Sequence, residues 1–498
     1  MEDAVKNLEK TAIAKDTVFY TISQFFSQGI GVITSIIIRN ALGPLYMGIW
    51  SALKVILDYA QYTGLGITSA VYCEIPYLRG AGKYTEIEEI KNVSFSFNLI
   101  VSLVVGGILF LCPFFLGNKY PHYVLTGLRV LAIIVILTFF NNLMISILRA
   151  DKKFITISKT LMLNAILTIV FAAFVVSKYR LYGMYLTIPA VLFIASVFMM
   201  ASEKMTFRIY FNRAHLSRLM KIGIPLFLSG IFYTIYITVD KIMVIKMLGA
   251  RELGYYSLAI LMTGVIESFP RLFNIVLFPR VQEKYGEDQS YETVIKYVDK
   301  PTKLVFFAGI IFLGHIYFMI SGLVPVLMPK YVPGIVSAKI VLCGFLMFVL
   351  SMSSENFILT VRKQVYQIPM LLAATIVSFL INFYFIKCGF GIMGVALGTS
   401  LGYILYFFIE TYFAIRHFWA RNEIFAFYKA IMIPYFYVLI ALWGIEKCFV
   451  GKSGIGIMIS QMLLYALFSA PLFFFGSGRS AVREIGRLLR SDYKTIKR

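Results

Sequence analysis

The sequence predicts an all-α, polytopic membrane protein of about 14 transmembrane helices: two pseudo-symmetric six-helix bundles and two further helices at the C-terminus. Three observations carry this. Apolar residues make up 59% of the 498 and charged residues only 14%, where a soluble protein has roughly a quarter charged. Apolar runs of about 20 residues, enough to cross the hydrocarbon as a helix that satisfies its own backbone hydrogen bonds, recur along the whole chain. A glycine-bearing pattern near residue 43 returns near residue 249.

Taken in order, the runs place crossings at 17–38, 46–72, 92–116, 126–148, 156–177 and 181–201. After a basic stretch come 222–247, 254–278, 303–327, 335–358, 365–386, 391–415, 427–446 and 455–476. The runs 46–72 and 391–415 exceed a straight crossing, which predicts tilt or kinks. With both termini on the cytoplasmic side, 32 of the 47 Lys and Arg fall in cytoplasmic tails and loops and 12 in the opposite loops, residues at span edges being counted with the adjoining loop. That is the positive-inside bias, and it alternates along the chain. The sequence therefore predicts a multi-pass protein of the cell membrane with cytoplasmic termini. It also accounts for the formal charge of +22 without nucleic acid as a partner, because the basic residues sit between apolar runs and form no basic domain.

The opening MEDAVKNLEKTAIAKD is mixed in charge and is no signal peptide. Cys73, Cys112, Cys343, Cys388 and Cys448 show neither metal spacing nor a CxxC pair and read as small buried hydrophobes. No metal and no cofactor is expected. External loops of no more than about a dozen residues, without HExxH or P-loop motifs, leave no platform for a catalytic constellation and argue against a glycosyltransferase or polymerase.

The repeat sets RNALGPLYMGIWSAL (39–53) against IKMLGARELGYYSLA (245–259). Leu42, Gly43, Gly48 and Ser51 meet Leu248, Gly249, Gly254 and Ser257, and Trp50 meets Tyr256. Each copy is a span, a Leu-Gly turn, four residues, a second glycine and the next span. Glycine there permits a sharp turn and close helix approach. Leu148-Arg149 and Val361-Arg362 echo the offset, as do the starts of the sixth and twelfth spans at Gly183 and Gly394. The expected organisation is an N-terminal lobe over 1–201, a cytoplasmic linker over 202–221, a second lobe over 222–417, and added helices with a basic tail over 418–498. Six crossings per copy relate the lobes by an axis along the membrane normal, with substrate expected near the midplane.

The elements LGPLYMGIWS (42–51) and PLFLSGIFYTIYITVDKIMVIKMLGARELGYYSLA (225–259) resemble the polysaccharide repeat-unit flippases, the Wzx type, of the superfamily that contains the MATE multidrug exporters. The resemblance implies twelve core helices in two bundles with two added C-terminal helices. It implies a lipid-linked cargo, an oligosaccharide on a polyprenyl diphosphate, moved from the inner to the outer leaflet. Many MATE exporters carry a coupling carboxylate in the first span; residues 17–38 hold none, which disfavours a drug or small-solute antiporter. A peptidoglycan-precursor flippase is a close relative of the first reading.

Ionisable groups inside spans cost about 2.5–3.5 kcal/mol each on insertion scales and so face a wet cavity or one another. The second span carries Lys54 and Asp58 at i, i+4, and its repeat partner carries Glu267 and Arg271 at the same spacing. Lys54 and Arg271 offer positive charge to a diphosphate, guanidinium through bidentate hydrogen bonds, while Asp58 and Glu267 neutralise the empty site. Pro270 is expected to kink its helix and aim Arg271 inward. Asp240 and Lys241 lie mid-span, with Lys241 rotated about 100° away, and Glu355 lies near the end of the tenth span. Lys54, Arg271, Arg39 and Lys241 are the candidate substrate-binding residues. Asp58, Asp240, Glu267 and Glu355 are the candidates for charge pairing or for coupling to H+ or Na+. Arg39, Arg129 and Arg149 stand at span ends, where snorkelling to the interface is the ordinary reading. Tyr233 and Tyr236 are candidates for stacking on sugar rings. Arg483, Arg487 and Arg490 lie at helical spacing in a basic amphipathic tail. A monomer in membrane lipid is expected.

Overall fold

The computed structural model describes residues 2–288, 290–361, 363–451 and 454–474. The predicted tail helix with Arg483, Arg487 and Arg490 lies outside them. All regular structure among the described residues is helical. Its α-helices are α1 (Glu2–Gln61), α2 (Ile67–Gly80), α3 (Tyr84–Leu116), α4 (His122–Ala150), α5 (Phe154–Phe171), α6 (Ser177–Glu203), α7 (Arg213–Met247) and α8 (Ala250–Asp288). They continue as α9 (Tyr291–Leu327), α10 (Ile335–Leu350), α11 (Met352–Thr360), α12 (Gln367–Lys387), α13 (Gly391–Ile415), α14 (Arg421–Cys448), α15 (Ile455–Ser469) and α16 (Pro471–Phe474).

Eleven helical stretches among the described residues are long and apolar enough to cross a membrane. Two of them each span two of the predicted crossings, although the one expected at 46–72 stops at Gly64, where Leu65 and Gly66 take left-handed backbone before α2 begins. Phe19–Gly64 is one continuous run broken at Gly43, whose φ of 68° and ψ of 173° leave the helical region immediately before Pro44. Phe154–Glu203 contains a π-helical turn at Ala172–Val176 and a break at Arg180 (φ 51°, ψ −123°). The loops expected at 39–45 and 178–180 are thus breaks of a residue or two. Glycine enters the left-handed region without steric cost, and proline has no amide to lose at a helix start. The crossing predicted at 254–278 lies within α8.

By Cα packing the chain forms two compact units. One is residues 1–245 with Gly249–Gly254; the other is Lys246–Leu248 with the chain from Tyr255 onward. In the first unit, Leu42, Trp50 and Leu53 of α1 pack with Leu131, Val135 and Phe139 of α4 and Met184 and Tyr185 of α6. Because lipid is as apolar as these side chains, close packing and interhelical hydrogen bonds supply the attraction. Asn141 of α4 donates to the Leu192 carbonyl at 2.9 Å and to Ser196 Oγ at 2.7 Å, and Tyr185 donates to the Tyr123 carbonyl at 2.9 Å.

Both turn glycines of the repeat adopt positive φ, Gly43 at 68° and Gly249 at 97°. The second glycines, Gly48 and Gly254, meet within the first unit. A Cβ on Gly254 would overlap the Pro44 carbonyl, and one on Gly48 would overlap the Ala250 carbonyl and stand 2.8 Å from the Gly254 nitrogen.

In the second unit α14 and α15 are held by tyrosines. Tyr435 donates to the Cys343 carbonyl at 3.1 Å, and Tyr465, wholly buried, donates to the Ile310 carbonyl at 2.7 Å. Glu446 of α14 accepts from Lys339 Nζ at 2.6 Å and from Tyr317 at 2.5 Å. Cys73, Cys388 and Cys448 are exposed, which corrects the expectation of burial; each lies just beyond the end of a predicted crossing and not inside one.

Candidate substrate site

The second half of α1 carries Lys54 and Asp58 one helical turn apart. Lys54 is exposed and Asp58 half-buried. Asp58 interacts electrostatically with Lys54 and with Lys241 of α7, and Lys241 with Asp240, Lys54 and Asp58. Four of the eight ionisable candidates therefore form one group inside the first unit. Lys241 is not turned away from it, as the 100° step suggested. Its Nζ folds back to donate to the Ile237 carbonyl at 2.7 Å, while the Asp240 carboxylate accepts from the Lys241 amide at 2.7 Å.

Two hydroxyl pairs fasten α7 beside this group. Tyr59 and Thr238 are 2.9 Å apart, and Thr234 donates to Tyr62 at 2.7 Å. One turn further, Gly66, in the left-handed region at φ 71°, lies against the backbone of Gly223. Only glycine admits that approach.

Next to Asp58 a cavity of about 550 Å³ opens within the first unit, inside the size range of small-molecule sites. Its charged lining is Asp58 and Arg149. Its polar lining includes Gln61, Thr68, Ser69, Asn142 and Ser146, with aromatic walls from Tyr62, Phe139, Phe227 and Tyr233. Asn142 Nδ2 donates to Gln61 Oε1 at 3.3 Å. The Tyr62 and Phe227 rings are tilted, with centroids 6.4 Å apart.

The sequence reading placed Arg149 at the interface; it stands at the cavity wall. Arg39 is buried, with 4% of its surface exposed, and its guanidinium bonds Ser35 of its own helix. Neither snorkelling nor a place on this wall describes it. Arg129 lies over the Phe114 ring, 5.1 Å from its centroid. Of the two tyrosines proposed for stacking, Tyr233 lines the cavity and Tyr236 is buried elsewhere. Gln61 and Asn142 are not among the sequence candidates, although two amides in otherwise apolar spans are the signal that marks a wet face.

In the second unit Glu267 and Glu355 interact electrostatically, as do Glu355 and Glu410. Glu410, absent from the sequence candidates, is wholly buried and accepts from Gln367 Nε2 at 2.9 Å. The side chain of Arg271, the expected partner of Glu267, lies outside the described residues.

Residues 83–314 match the model of a family described as polysaccharide biosynthesis protein. No curated protein matches in sequence. Among solved structures, the lipid II flippase MurJ in an inward closed conformation superposes with a TM-score of 0.69 at 16% identity, over 92% of this chain and 99% of that one. An inward-facing MATE-family multidrug resistance transporter gives 0.61 at 17% identity, over 83% and 96%. A MOP-superfamily transporter from Pyrococcus furiosus gives 0.59 at 14% identity, over 83% and 96%. The chain thus carries the polysaccharide biosynthesis family match over 83–314 and the multi-pass fold of MOP-superfamily transporters and flippases, and the Wzx-type resemblance read from the sequence stands.

Proposed function

We propose that the chain is a flippase for a polyprenyl-diphosphate-linked oligosaccharide, moving it from the inner to the outer leaflet by alternating access. The observation that carries this is the polar, aromatic-walled cavity with Arg149 and Asp58 on its lining and Lys54 and Lys241 adjoining. The polyprenyl tail remains in lipid while the head enters. Arg149, near the end of its span, meets the diphosphate at the leaflet surface, and Lys54 offers the next positive charge deeper in. Asp58 and Asp240 keep the empty group near neutral, which limits the cost of holding two lysines within the membrane. Arg271 is assigned the corresponding role in the other half of the chain.

Outward movement of an anion across an inside-negative membrane is downhill by about 2.3 kcal/mol per charge per 100 mV, so the potential supplies a driving force. Ion coupling, by H+ or Na+, would use Glu267 and Glu355 with Glu410.

The test is the Lys54→Ala, Arg149→Ala double variant in proteoliposomes, scored by the appearance of a fluorescent diphosphate-linked disaccharide lipid in the far leaflet. Hydrogen bonds to charged groups contribute about 1.5–3 kcal/mol, so a loss of tenfold or more is expected. Wild-type rates from an equally folded double variant reject the reading.

A further inference from the structure

The charges of the cavity account for a phosphate, but most of its lining is uncharged, and the diphosphate gives that lining nothing to do. Gln61 and Asn142 present amides that both donate and accept, and Tyr233 and Phe227 provide flat apolar faces. Donor–acceptor groups beside aromatic faces match a ring with equatorial hydroxyls and an apolar C–H face, which is a pyranose. Asn142 and Arg149 are seven residues apart on α4, about 10 Å of helical rise. That span accommodates a disaccharide with its reducing-end phosphate at Arg149.

Resting on the flippase reading above, we propose that the cavity bounded by α1, α4 and α7 is a saccharide subsite. It takes the one or two sugars nearest the diphosphate, stacked on Tyr233 and hydrogen-bonded by Gln61 and Asn142. The subsite recognises the head apart from the lipid. It therefore binds a free, neutral disaccharide weakly, and the selection of sugar rings rests on side chains that carry no charge.

The experiment uses the full chain in lipid nanodiscs with two probes, a neutral methyl disaccharide and methylene diphosphonate. Saturation-transfer NMR reads transfer from protein to each probe. Wild type is expected to saturate the sugar ring protons. Tyr233→Ala and the Gln61→Ala, Asn142→Ala double variant are each expected to lower that signal at least fivefold while the diphosphonate signal persists. Tyr233→Phe keeps the ring, so it retains the sugar signal and guards against a merely unfolded Tyr233→Ala protein. Diphosphonate binding without sugar saturation overturns the subsite and leaves the flippase reading intact. Sugar saturation unchanged in all the variants places the sugar elsewhere and also overturns it. If neither probe binds and the Lys54→Ala, Arg149→Ala variant still transports, both readings fail.

Discussion

Gly254→Val protein is expected to fail to accumulate as a folded, monodisperse membrane protein. The Cβ of any larger residue at 254 points at the Pro44 backbone, with the carbonyl overlapped and the Cα 2.8 Å away. A flexible side chain in that position would move aside. Here the obstacle is backbone at the start of a helix, and Gly48 is hemmed in the same way by Ala250 and Gly254. Overpacking costs about 1–3 kcal/mol even where side chains can rearrange, and in this place no side chain is available to do so. Size-exclusion profiles of detergent-solubilised protein measure the loss. Gly264→Val is the control, because nothing lies within 4 Å of its Cβ direction, and its profile should match wild type. A normal profile for both variants would mean that Gly48 and Gly254 are not in contact.

Glu446→Ala is expected to lower the thermal unfolding midpoint and to loosen α14 from the rest of its unit. Lys339 exposes only 7% of its side chain, and its charge is answered by Glu446 at 2.6 Å. Its Nζ also sits 4.4 Å from the centroid of the Tyr317 ring. Removing one member of a buried pair costs about 3–5 kcal/mol because the other charge is left uncompensated. Glu446 is 44% exposed, so water and lipid head groups screen part of that, and about 2 kcal/mol is the expected loss. Glu446→Gln keeps an acceptor for Tyr317 and Lys339 and should lose less. Protease sensitivity of the α14–α15 connection follows the same order. Equal midpoints for wild type and Glu446→Ala would show that the pair contributes nothing to docking α14.

Much of the fold was legible because membrane crossing imposes length and hydropathy on each helix separately. Gly43 and Gly249 could be paired from their surroundings alone, and both adopt positive φ. The single-residue breaks at Gly43 and Arg180 look like loops in the sequence, since hydropathy does not distinguish a short loop from a break inside a continuous helix. Lys54 and Asp58 were found because they share one helix face. Joining them to Lys241, and Gln61 to Asn142, depends on which helices neighbour one another, and periodicity within one helix carries no such information. Arg39 shows the opposite failure: its place at a span end suggested the interface, and packing buried it. Glu410 was passed over because it has no basic neighbour at i, i+4; its partner Gln367 comes from another helix.

The break at Gly43 and Pro44 bears on exchange with solvent. A helix that begins at Pro44 starts with amides that have no carbonyl in the preceding turn to bond, and proline itself removes one of them. The amides of Leu45 and Tyr46, the first after the break, are therefore expected to be less protected than those one turn further along α1. In deuterated buffer they should exchange before their neighbours on either side, so that one long helix reads as two separately protected segments.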